Sequence, residues 1–191
     1  MSSELSLLIL YAVLALGVSF LCSIAEAVLL SVTPSYVAAL EKEDDTGAGQ
    51  MLHELKSDVD RPLAAILSLN TIAHTVGAAG VGAQAQVVFD SMPVAVASAV
   101  LTLLILVLSE IIPKTLGAVH WRKLAPSTGR TLRILIWLMY PFVLLSQVIT
   151  DLLSRDTGEN AISRREITAL ADLGVEAGIF EEEESRILKN L

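Results

Sequence analysis

The chain has few charges and a single cysteine, and its first residues lack any basic cluster; each absence narrows the reading. Only 18% of its 191 residues are charged, against about 25% in an ordinary soluble domain. Cys22 is alone, so an intrachain disulfide is excluded and the redox compartment stays open. Met1 to Ser6 holds no lysine or arginine, and no small-residue cleavage site follows a short apolar core. The first apolar run therefore reads as a retained helix, not a signal peptide. Histidine is scarce, at three residues, and no G-x-S-x-G elbow is present. Acids outnumber bases, 21 to 13, which argues against nucleic-acid binding.

What the chain has in abundance is apolar sequence. Hydrophobic residues make up 53% of it, and its mean hydropathy is +0.64. They fall in long runs, and a helical span needs about 20 such residues. The net charge of −8 is concentrated in Glu41 to Asp60 and from Asp151 onward.

Three runs read as transmembrane helices: about 5–32, 62–89 and 94–119. Thr33-Pro34 ends the first, because proline lacks an N–H and clashes with the preceding turn. Residues 34–61 are mixed and charged, with Gly47 and Gly49 near the middle, and read as two short amphipathic helices outside the bilayer. The second run is rich in alanine and glycine, which suits close helix packing. Asp90-Ser91-Met92-Pro93 reads as a tight turn. A fourth apolar stretch, 134–153, is split by Pro141. Crossing there would put Arg155, Arg164 and Arg165 outside, against the positive-inside rule. We read 126–153 as a juxtamembrane or re-entrant helix, and 1–153 as the transmembrane domain.

The same rule sets the orientation. Lys42, Lys56 and Arg61 follow run one, and Arg122, Lys123, Arg130 and Arg133 follow run three. The N-terminus is expected outside and the C-terminus in the cytoplasm. Residues 154–191 read as a cytoplasmic acidic helical linker: Ser163-Arg-Arg-Glu166 forms a capping box, and Glu181 to Glu184 open a further helix. The chain ends at Lys189-Asn-Leu191 without a helix stop signal, as if cut from something longer. The fold class expected is all-α integral membrane, with three transmembrane helices, a belt-like juxtamembrane helix and a short cytoplasmic helical bundle.

Polar residues recur inside all three spans. Run one holds Ser23 and Glu26 in Cys22-Ser-Ile-Ala-Glu-Ala27, with Ser31 beyond. Run two holds Asn70, Thr71, His74 and Thr75. Run three holds Ser109-Glu110-Ile-Ile-Pro113-Lys114. A charge at mid-span costs about 2.5–3.5 kcal/mol on insertion scales, so these residues need a reason. Serine, asparagine and glutamate supply hard oxygens, which suit Mg²⁺, Ca²⁺ or an alkali ion. Ser23 and Ser31 stand about 12 Å apart on a straight helix, and Ser23 is the better ligand of the two. Each residue also has a plainer reading. Membrane serines bond their own i−4 carbonyl, an asparagine can staple two helices, Lys114 can reach the interface, and His74 can be a hydrogen-bonded filler.

At these positions the sequence resembles the transmembrane domain of the CNNM/CorC magnesium transporters. The family pattern F-S-x-x-E-x-x-x-x-S is matched by Ser23, Glu26 and Ser31. Its G-N-x-x-x-N is matched by Asn70, with Leu69 for the glycine and His74 for the second asparagine. Its G-E-x-x-P-K is matched by Glu110, Pro113 and Lys114, with Ser109 for the glycine. The acidic stretch Gly178-Ile-Phe-Glu-Glu-Glu-Glu resembles the linker before the family's paired CBS domains. The resemblance implies a homodimer in the plasma membrane and Mg²⁺ efflux with Na⁺ as the candidate coupling ion, not an enzyme. It implies Ser23, Asn70 and Glu110 as metal ligands. Glu26, Ser31, Thr71, His74 and Ser109 are secondary candidates. The alternatives from the residues themselves are an ion-binding scaffold or sensor that does not transport, a nonselective channel, and a Ser23 hydrolase, which His74 on another helix does not support.

Overall fold

The computed structural model describes residues 3–43, 47–89 and 93–153. The expected turn at 90–92, the acidic linker 154–191 and the cytoplasmic helical bundle lie outside the described residues. Met1–Thr150 forms one compact unit, and it alone is described below.

The fold is all-α, with no strand among the described residues. Helix α1, Ser3–Ser31, ends before Thr33-Pro34, and α2, Pro34–Glu43, begins on that proline. Proline suits a first helical position because its missing N–H has no intrahelical partner there. Gly47, at φ 73°, makes the left-handed turn that starts α3, Ala48–Ser57. α4, Asp60–Val88, returns. α5, Val94–Leu104, then continues through a π-helical segment, Ile105–Ile111, into α6, Ile112–Leu138. α7, Tyr140–Leu153, follows a break at Met139.

Among the described residues, three helices are long and apolar enough to cross a membrane: Ser3–Ser31, Asp60–Val88 and the continuous Val94–Leu138. The chain is a multi-pass α-helical membrane protein. The 29 residues of α1 and of α4 reach about 43 Å, ample for a hydrocarbon core of about 30 Å. The 45 residues from Val94 to Leu138 would reach about 67 Å if straight, so a single crossing uses only part of them. Sequence alone ends this run near 119. The helix instead bends at His120 (φ −106°, ψ 16°) and resumes without a loop. Beyond the bend, Ala125 packs in a cluster with Val28, Val32 and Leu52, and Leu132 and Leu135 pack with Cys22, Ala25 and Ile66. The stretch 126–153 is thus the second half of α6 plus α7. With 14 residues, α7 is shorter than the roughly 20 that span a bilayer.

Candidate functional site

Small residues bring the backbones together. At Gly77 a side chain would collide with Ala15, and at Gly80 it would meet the Tyr11 ring at 2.6 Å. Gly117 lies where a Cβ would sit 2.9 Å from the Ala27 Cβ and 3.0 Å from the Ile24 carbonyl oxygen. Close approach of this kind replaces the hydrophobic drive that lipid removes. It also fixes the register. α1 and α4 are antiparallel, with Tyr11 against Gly80, Ala15 against Gly77, and Ser19 against His74. One turn further toward Ser31, the same register sets Ser23 opposite Asn70.

The third wall is the π-helical segment, whose cause is Pro113. It has no N–H for the carbonyl of Ser109, and its ring would clash there. The ladder widens, so Ile112 N–H donates to the Val107 carbonyl five residues back. π-helical turns of this kind are frequent at functional sites. Ser109 is buried, and its hydroxyl donates to the Leu16 carbonyl at 3.0 Å, tying the segment to α1.

Three polar layers follow along α1. In the first, fully buried Ser19 Oγ lies 2.7 Å from His74 Nε2, and that nitrogen is 3.8 Å from Glu110 Oε1. In the second, Ser23 Oγ and Asn70 Oδ1 are both buried without a hydrogen-bond partner. In the third, Lys114 Nζ holds both oxygens of Glu26, at 3.2 and 3.3 Å. A buried polar oxygen left unsatisfied costs about 1–3 kcal/mol, so these two are free to take a partner: a donor, a water or a cation. The third orphan oxygen, Gln84 Oε1, is about 21 Å along α4 from Asn70 and lies apart.

The sequence candidates therefore separate. Ser23, Asn70, Glu110, His74 and Ser109 converge on adjoining layers of one three-helix seam. Glu26 is engaged by Lys114. Thr71 is exposed and donates to its own Leu67 carbonyl at 2.8 Å, so the structure does not bring it to the seam. Ser31 is two turns beyond Ser23 and half-buried. Ser19 is the residue that sequence reasoning missed. Its signal was there: it precedes Ser23 by four positions and shares its helix face. Among the described residues no three of His, Cys, Asp and Glu converge. The donors at the seam are instead one carboxylate, neutral oxygens and one imidazole.

Residues 10–184 match the family described as the Cyclin M transmembrane N-terminal domain, CNNM. A UPF0053 protein of Synechocystis sp. is 33% identical over 173 residues, covering 91% of this chain and 50% of the relative. A chloroplastic DUF21 domain-containing protein of Arabidopsis thaliana is 31% identical over 182 residues, 92% of the chain and 27% of the relative. A UPF0053 protein of Haemophilus influenzae is 28% identical over 172 residues, 90% of the chain and 41% of the relative. The chain thus spans half or less of the length of these curated relatives.

Proposed function

Because the chain belongs to the CNNM transmembrane domain family, we propose that it transports Mg²⁺ through the α1–α4–π seam. The observation that carries this reading is the pair of orphaned oxygens, Ser23 Oγ and Asn70 Oδ1, one layer from the Glu110 carboxylate. A cation drawn between them and Glu110 gains three oxygen donors, and its charge offsets the cost of a carboxylate inside a span. Mg²⁺ gives up water reluctantly, so ligands already fixed by close helix packing are what the step requires. Backbone carbonyls near Pro113, released from the α-helical ladder, add donors of the same hard class.

In this reading Glu110 binds and neutralises the ion, Ser23 and Asn70 replace its water, and Ser109 holds the widened turn to α1. His74 and Ser19 keep the neighbouring layer satisfied when the site is empty. The Glu26–Lys114 pair lies one layer further toward the Pro34 end of α1 and must part or move for an ion to pass that way. The protein works as a homodimer in the plasma membrane, with its N-terminus outside and its C-terminus cytoplasmic. It exports Mg²⁺ against Na⁺ entry and is not an enzyme; nucleotide regulation belongs to the CBS domains of the full-length family, and residues 1–191 are expected to show none.

Flux tests the proposal. Purified protein in liposomes with an internal Mg²⁺ dye should move Mg²⁺ down its gradient, and Glu110→Gln should abolish the signal. Binding without flux in the wild type would assign the chain to the sensor class instead. Flux unchanged by Glu110→Gln would remove the seam from the mechanism.

A further inference from the structure

Beyond the bend at His120, α6 carries a second feature that transport does not use. At 3.6 residues per turn, Arg122, Lys123, Arg130 and Arg133 fall within about 100° of its circumference, and all four are exposed. Trp137 lies inside that arc, 78% exposed, and Ile134 borders it at 67%. The face away from them is packed through Ala125, Leu132 and Leu135. Among the described residues only Arg133 of the four cations pairs with an acid, Glu54, at 3.0 Å. Arg122 stacks over the Trp121 ring at 4.7 Å, which leaves its charge uncompensated.

We infer that this face of α6 is a binding surface for anionic phospholipid headgroups. Its two components decide the occupant together. Trp137 and Ile134 are large apolar groups that need acyl chains beside them, and an indole favours the headgroup level. With this half of α6 lying along the interface, the cations on the same arc sit at that level too, where phosphate-bearing lipids of net negative charge complement them. An acidic peptide would neutralise the cations and leave the apolar pair exposed to water. The bend at His120 lets this stretch depart from the axis of the crossing helix.

Tryptophan quenching reads this directly. The chain has two tryptophans, so Trp121→Phe leaves Trp137 as the sole reporter. This variant is reconstituted into bilayers containing equal fractions of brominated phosphatidylglycerol with plain phosphatidylcholine, or the reverse. Brominated phosphatidylglycerol should be enriched around Trp137 by at least about fivefold, the effect of one interfacial cation. The enrichment should vanish in Arg122→Gln/Lys123→Gln/Arg130→Gln and shrink in 1 M salt, where the screening length falls to about 3 Å. Equal quenching by the two lipids, or a preference that survives the triple substitution, overturns the inference. A preference seen only after Glu181–Glu184 are changed to Gln also overturns it, since that acidic stretch would then be the natural occupant.

Discussion

Replacing Pro113 with alanine restores the N–H that the Ser109 carbonyl lacks, and the consequences can be worked through. The widened segment Ile105–Ile111 can then close to a regular α-helix, removing one residue's worth of offset. That rotates Ser109 and Glu110 by about 100° relative to α6, which is anchored by Gly117 against Ile24 and Ala27. A carboxylate about 5.5 Å from the helix axis moves by about 8 Å under such a rotation. Glu110 would leave its position 3.8 Å from His74, and Ser109 would lose the Leu16 carbonyl. Removing a proline from a helix interior is worth up to about 3 kcal/mol. Neighbouring groups in a membrane bundle re-satisfy part of the freed backbone, so the gain is smaller. The expected variant is as stable as wild type or more so, yet binds Mg²⁺ at least tenfold more weakly, about 1.4 kcal/mol. Denaturant unfolding in detergent and calorimetric titration read the two quantities separately. A Pro113→Ala protein with Mg²⁺ affinity within about twofold of wild type would refute the argument that the π-helical turn aims Glu110.

Two further perturbations test the seam itself. Gly117→Ala sets a Cβ 2.9 Å from Ala27 and 3.0 Å from the backbone oxygen of Ile24, where the helices must part. Overpacking of this kind costs about 1–3 kcal/mol, and Ala27→Gly in the same chain should recover only part, because the Ile24 oxygen remains. Unfolding titrations of the single and double variants measure both. His74→Ala removes the partner of buried Ser19, and interhelical hydrogen bonds in membranes average about 0.6 kcal/mol. A loss near that value is expected in the same assay, with His74→Asn recovering most of it.

The parts of the fold that rest on hydropathy and punctuation were legible in the sequence. Long apolar runs marked the spans, Thr33-Pro34 marked the end of α1, and Gly47 marked the break between α2 and α3. What hydropathy could not show was the course of the third span after residue 119. The helix bends at His120 and resumes at once although Pro126 and Gly129 are poor helix formers, because Ala125, Leu132 and Leu135 pack into buried clusters. The candidate ligands were legible because an ionisable or amide group inside an apolar run stands out by composition alone. Their grouping was not. It depends on the register of α1 against α4, which Gly77 and Gly80 set through contacts on another helix. The same dependence hid Ser19, which looks like an ordinary membrane serine until His74 is placed against it. Thr71, one residue from Asn70, is rotated off the seam by about 100°, and no one-dimensional reading of a polar cluster separates the two.

The account turns on whether a divalent cation occupies the layer between Ser23, Asn70 and Glu110. Calorimetric titration of Mg²⁺ into the purified chain in sodium-free detergent buffer, wild type beside Ser23→Ala, Asn70→Ala and Glu110→Gln, measures this most directly. The account predicts one saturable site in the wild type, weakened in the serine and asparagine variants and lost in Glu110→Gln, with all three still folded. Saturable binding that is the same in all four proteins would contradict it. So would a wild type that binds no Mg²⁺, leaving these side chains as contacts between helices.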